Sequence, residues 1–392
     1  MTVLVGGGVV MGMLALSVDI GQIMSERREL QNGADASAMA LAQLCAKNDS
    51  RCVQTTTDTT AATAVKPLAN ANAKDHLSAV SNVCANAVTT ITVACETPNA
   101  SELAKCGPTP GWLVSGIPYV EVKTKTETSV GSAVLTPFAK ALTGNSANNG
   151  STVYACARSA WGSPGQYTAK VPIVVSECEW KNNTSNGTVY QTGPAGAAPG
   201  YGTASGQTPW PATSAEITIY LKSTTTVPCA INGKDTAGGF GYVDDTAGNC
   251  EAAVSINDWA RIETGSSPPS GCYNEIAALQ GSVVELPIFD CLVKASSVPT
   301  GGISGYPDCT GATGGGANSY YHVVGWAKFY LTGFKVGGSQ EAASLRSGVV
   351  PCSGGDRCLS GWYVTGSLTG PGTIVPPTST NNFGASLVAP AG

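Results

Sequence analysis

The chain reads as an α+β protein: a long N-terminal transmembrane and amphipathic helix, a small α+β unit, then a mainly β, disulfide-rich domain of sandwich or barrel-like type. Three observations predict this. An uncharged apolar run opens the 392-residue sequence and passes straight into a helical period. The remainder is punctuated by 48 Gly and 23 Pro, well above average usage, so many turns are expected. Charged residues make up 12%, about half the roughly 25% usual for soluble domains, which leaves Thr, Ser, Asn and Gly to cover the surface.

The helix comes first. Residues Thr2 to Ser17 carry no charge, and Ile20 to Met24 extend the apolar stretch past Asp19 to about the length of a bilayer span. No small-x-small cleavage pattern with a polar start follows it, which favours a retained span over a cleaved signal. Leu30, Ala34, Ala38, Leu41 and Cys45 then recur at helical steps, with Glu26, Arg27, Arg28, Glu29, Gln31 and Asn32 between them. One helix is therefore expected to about Ala46. The small residues Gly12, Ala15 and Gly21 permit close approach of a second helix in lipid. Asp19 either sits at headgroup level or faces a partner in a helical bundle.

The 14 cysteines are even in number and spread over most of the chain. No pair forms C-x-x-C, and only His76 and His322 are present, so neither a zinc ribbon nor a His-rich metal centre is expected. Disulfides in an oxidising compartment fit better, which makes the bulk of the chain an exported, extracytoplasmic domain. The short loops Cys45–Cys52 and Cys352–Cys358 are the first candidate pairs; sequence leaves the other connectivity open. The flanking Glu26-Arg27-Arg28-Glu29 would, on charge alone, hold this side of the span in the cytoplasm, and the cysteines outweigh it. With 21 scattered basic residues and a net charge of −5, a nucleic-acid surface is excluded.

Four segments follow: 1–46 the membrane and assembly helix, 47–165 a small α+β domain, 166–370 a β-rich domain, and 371–392 an irregular tail in which Phe383 and Leu387 could pack back. Ala61 to Ala87 is Ala- and Asn-rich and suggests one or two short helices, and Thr89 to Ala94 a strand. Tyr119 to Val130 alternates cleanly, with Val120, Val122, Thr124 and Thr126 on one face and Glu121, Lys123, Lys125 and Glu127 on a face expected to meet solvent. Thr136 and Pro137 open a short helix closed by Gly144. Further strands are expected at Thr152 to Trp161, Val171 to Cys178, Ile217 to Lys222, Ser282 to Val293, Tyr320 to Lys335 and Ser360 to Ser367. The tryptophans from Trp161 to Trp362 read as core packing; stacking on glycan rings is the sharper alternative.

No nucleophile elbow, H-E-x-x-H helix, P-loop or G-x-G-x-x-G unit occurs. Asp244-Asp245 lies in a turn-like string, and His322 in an alternating strand reads as structural. An even cysteine count leaves no free thiol for Cys-His catalysis. Asn182, Asn183 and Asn186 mark a polar surface loop. The residues thus offer no catalytic, cofactor or metal site, and a non-enzymatic protein is expected.

The tetrad Val18-Asp19-Ile20-Gly21 and the string E-L-Q-N-G-A-D-A-S-A-M-A-L-A at Glu29 to Ala42 resemble the N-terminal segment of the TadE/TadG-like proteins of Flp (Tad) pilus systems. Weaker likeness to actinobacterial TadG-like proteins comes from Ala157 to Pro164, Leu286 to Asp290 and Cys358 to Val364. Val5 stands where type IV pilins usually carry Glu, and the D-x-S-x-S string of a von Willebrand A-type domain is absent. The resemblance implies a structural or assembly component of a surface pilus, as a minor pilin-like subunit, tip protein or membrane-anchored factor. Its partners would be membrane lipid, other pilin or pilus-assembly subunits and, through the β domain, cell wall or glycans. Leu14, Val18, Asp19, Gly21, Leu30, Ala34 and Ala38 would carry helix packing. The competing reading is a membrane-anchored, wall-facing carbohydrate-binding module or hydrolase.

Overall fold

The computed structural model describes residues 2–96, 105–129, 131–138, 150–194, 200–203, 205–222, 241–245, 248–263, 265, 267–269, 271–294 and 319–392. The chain divides into two compact units. One comprises residues 1–162 and 388–392, the other residues 163–387.

In the first unit, helix α1 (Thr2–Ala46) is followed by α2 (Thr60–Ala71), β1 (Ser78–Asn86), β2 (Tyr119–Thr126) and the first part of β3 (Tyr154–Ala169). β2 lies between its two neighbours, antiparallel to both, from Tyr119 opposite Asn86 and Ala160. The period seen in the sequence explains how α1 packs here. Leu30, Ala34, Ala38, Leu41 and Cys45 are all buried. Ala34, Ala38, Leu41 and Ala42 meet Ala61 and Val65 of α2, Val83 of β1, Val120 and Val122 of β2, and Ala157 and Trp161 of β3 in one core. Small side chains let the two helices approach closely. A Cβ on Gly33 would stand 3.1 Å from the Ala69 carbonyl oxygen, closer than nearly all real contacts.

The second unit is mainly β. Its larger sheet runs β4 (Val175–Ser176), β8 (Val283–Lys294), β9 (Ser319–Lys335), β11 (Arg357–Val364), β5 (Ile217–Lys222). β7 (Asp258–Arg261) and β10 (Glu341–Ala342) also pair with β9. The later part of β3 pairs β6 (Ala252–Ser255) and β13 (Gly372–Val375), and β12 (Gly366–Ser367) pairs β14 (Ala385–Pro390) in parallel. Tyr167, Ala252, Ala385 and Leu387 share a core with Phe289, Tyr321, Val323 and Trp326, so two layers of strand bury apolar side chains against each other. Leu286, Ile288, Phe329, Phe334 and Leu359 form another core, covered by Trp180 of α3 (Glu177–Thr184) and Ile276 of α4 (Cys272–Ala278).

Disulfides join Cys45–Cys52, Cys84–Cys95, Cys106–Cys156, Cys250–Cys272 and Cys352–Cys358. Both short loops singled out by spacing are thus closed. Cys178 and Cys291 are also disulfide-bonded, and no free cysteine remains among the described residues.

Several expectations need correction. The charged face of β2 does not meet solvent: Glu121 and Lys123 are buried. Each has a partner that offsets its desolvation, Arg158 for Glu121 and Glu96 for Lys123 at 2.8 Å. Ala61 to Ala87 is helical only in α2; its end forms β1, because Val83 and Cys84 find a sheet to join. Thr89 to Ala94 holds isolated bridges at Ile91 and Ala94 instead of a strand. Val171 to Cys178 has two strand residues before α3 begins. There Ser176 caps the helix, its Oγ accepting from the Glu179 amide at 3.1 Å. The tail 371–392 is not irregular throughout, since it carries β13 and β14. Its prolines bound those strands: Pro371 precedes β13, Pro376 follows it, and Pro390 ends β14. Phe383 and Leu387 are buried. Most of the helix expected after Thr136, to Gly144, lies outside the described residues.

Candidate functional site

The residues assigned to helix packing all lie on α1, and their burial separates them into two groups. Leu30, Ala34 and Ala38 are spent inside the chain. Leu30 packs on Val153 and Ala155, with Ile23 and Val134 alongside. Polar bonds fix this half further. Thr124 Oγ1 donates to the Leu30 carbonyl at 2.9 Å, Gln31 Nε2 to the Cys156 carbonyl at 3.1 Å, and Ser37 Oγ to the Val65 carbonyl at 3.3 Å. The Lys74 amide donates to Glu29 at 2.9 Å. Burial pushes the Glu26 carboxyl above its usual range, helped by Asp75 and Glu29 and opposed by a bond with Thr126.

The earlier half of α1 is different. Leu14 is 57% exposed and Val18 48%, and Met13, Leu16, Ile20 and Met24 are exposed with them. At about 100° per residue these side chains span more than half of the helix circumference. A Cβ on Gly21 would meet nothing within 4 Å. Asp19 is the exception, buried to 2%. It lies on the same helix face as Leu30 and Ser37, so it does not belong to the open apolar surface. Among the described residues no helix is long and apolar enough to cross a membrane. The uncharged run of the sequence falls largely on residues 2–12, whose side chains are outside the described set.

The buried half of α1 packs in a unit that also holds a fully buried ion pair. Arg158 of β3 is fully buried, and its Nη2 and Nε reach Glu121 Oε1, the latter at 2.9 Å. The same guanidinium donates to the carbonyls of Gly107 and Ala391, both at 3.2 Å, and lies over the Tyr119 ring at 5.2 Å. The Arg158 amide donates to Gly392 and its carbonyl accepts from Ala391. Residues 391 and 392 are thereby tied to β3. Lone Arg and Glu letters in the sequence give no sign of this pairing, although an Arg within an otherwise apolar strand is a signal that it must find a carboxylate.

Among the described residues the other clusters of candidate ligands are explained by structural bonds. Glu121 lies near the Cys84–Cys95 and Cys106–Cys156 sulfurs, and Asp245 near those of Cys250–Cys272. All six sulfurs are in disulfides, so they supply no thiolate to a metal. Asp244 faces Arg261 at 3.5 Å, and Asp245 accepts from the amides of Asn249 and Cys250, as a turn carboxylate does. His322 Nδ1 stands 2.7 Å from Asp290 Oδ1. In α3, burial pushes the Glu179 carboxyl up to about 7, against bonds from Asn183 and the Tyr220 backbone.

This is the class the helix defines: a protein that presents a long N-terminal helix open along most of residues 13–24 and built into its own domain from Leu30 onward. The family model of Flp pilus-assembly TadE/G-like proteins (Tad) matches residues 1–43, almost the whole of α1. The N-terminal segment is therefore TadE/G-like. No curated protein and no solved structure matches the chain significantly.

Proposed function

We propose that this chain is a structural or assembly component of a Flp/Tad-type surface pilus, acting by helix packing and without turnover. The observation that carries the reading is the open half of α1. Exposed Leu14, Leu16, Val18, Ile20 and Met24 leave an apolar surface that water does not favour, on the segment that is TadE/G-like. Lipid or the helices of other pilus subunits would cover it. The helix would hold the chain in a membrane or filament, with both units on the extracytoplasmic side, where disulfides persist. Whether the chain is a filament subunit, a tip protein or a membrane-bound assembly factor depends on what covers that surface.

Gly21→Leu is the direct test. The added side chain has open space in the isolated chain. Leu also favours helix over Gly by about 0.5–1 kcal/mol. The variant should fold at least as well as the parent and lose pilus assembly in a producing cell. Normal piliation with Gly21→Leu would sink the packing claim.

A further inference from the structure

The second unit carries a cleft that no role so far described uses. It is an open groove of about 510 Å³, within the roughly 300–1,000 Å³ common for small-molecule sites. Its walls come from β3 (Gly165, Gln166), from β6 and the turn after it (Ser255, Ile256, Asn257), and from β13 with the following turn (Thr373, Val375, Pro376, Thr378, Asn381).

The walls are fixed before any ligand arrives. The Ile256 amide donates to the Gly165 carbonyl at 2.6 Å, and the Gln166 amide to Thr373 Oγ1 at 2.8 Å. Asn381 is held at both ends: its Oδ1 accepts from Ser163 Oγ and the Thr378 amide, and its Nδ2 donates to the Pro376 carbonyl. Gly165 lets β13 lie close, because a Cβ there would stand 2.8 Å from both Thr373 Oγ1 and Val375 Cγ1. The exposed amides of Gln166 and Asn257 make no comparable side-chain bond and remain available on the rim.

The lining selects a ligand class by elimination. None of its residues is charged, so neither an anion nor a cation finds a counter-charge. Among the described residues no aromatic ring lines it to stack a base. What remains is a set of amides and hydroxyls, each able to donate and accept, beside an apolar patch of Ile256, Val375 and Pro376. A pyranose has the matching character: hydroxyls at its edge that both donate and accept, and C–H faces that cover apolar carbon.

We propose that this cleft binds neutral saccharide units. Without an aromatic platform the affinity per unit is weak, of order 1 mM, so useful attachment would need many copies presented together. The inference does not rest on the pilus reading, since the cleft and α1 are separate features.

The test titrates the full chain with cellobiose and with N,N′-diacetylchitobiose, followed by ligand-observed NMR. At least one should saturate in the millimolar range, and a heparin-derived disaccharide should not. The double variant Gln166→Ala/Asn257→Gly removes two exposed side chains, Gly suiting the positive φ at 257, and should weaken binding by about tenfold or more. An unchanged melting profile would show that the variant is folded. Lack of saturation by both neutral disaccharides up to about 20 mM, preference for the anionic one, or equal binding by the double variant would each overturn the proposal.

Discussion

The two halves of α1 follow opposite rules, although they form one continuous helix. From Leu30 onward the buried apolar residues keep to one face, and that face is consumed by α2, β1, β2 and β3. Between Met13 and Met24 the described apolar residues spread around the helix and stay exposed, apart from Ile23, which packs beside Leu30. Regular backbone structure therefore says nothing about partnership. The side-chain period separates a segment that completes its own domain from one that awaits a second surface.

The largest expected effect strikes the unit that holds the buried half. Arg158→Ala would leave Glu121 buried without its cation and two carbonyls without their donor, at a cost of about 3–5 kcal/mol. Chemical denaturation should show the first unit unfolding early. An unchanged midpoint would mean that this ion pair does not hold the unit together.

The second unit answers the same problem of a buried acid differently, and pH tells the two apart. Glu179 has no cation beside it and keeps its proton to about pH 7, whereas the unfolded chain loses it near 4.5. The native state binds more protons across that window, so stability falls as pH rises through it and levels off above about 7. The loss should be of order 2 kcal/mol. Urea unfolding at pH 5 and pH 7.5 measures it, and Glu179→Gln should remove the difference. Equal pH dependence in parent and variant would assign the effect to another group.

Ala38→Leu against Gly21→Leu gives the smallest contrast in energy and the sharpest in meaning. The first forces carbon into a filled core and should cost about 1–3 kcal/mol. The second should leave the melting temperature of the isolated chain unchanged or slightly raised. If both destabilise equally, the division of α1 into two halves is wrong.

How much of this was legible in the sequence depended on whether a signal was local. The three- and four-residue steps from Leu30 to Cys45 mark the buried face of α1, because a helix writes its period within a few turns. β5, β8 and β9 were visible for the same reason. The closure of Cys45–Cys52 and Cys352–Cys358 needed only short loops. The burial of Glu121 was invisible, because alternation on β2 shows two faces and not that both are covered; its partner lies 37 residues away. Helix α3 had a readable sign that was passed over, Ser176 three residues before Glu179, the spacing of a capping box. The packing set on α1 was chosen from a string, and a string does not distinguish Leu14, which is open, from Ala38, which is enclosed.

The tie between Arg158 and residues 391–392 has a consequence in time. The ligands of that guanidinium and peptide emerge from a ribosome more than two hundred residues after it, about 10–50 s later at usual elongation rates. All of the second unit is made in the interval. The first unit, although its helix is made early, must wait for residues 391 and 392 to close. Until then β3 lacks one set of its bonds and the core that receives α1 is unfinished. A subunit built this way delays its own maturation, so that its helix is fully seated only after the second unit has been made and residues 391 and 392 have been delivered.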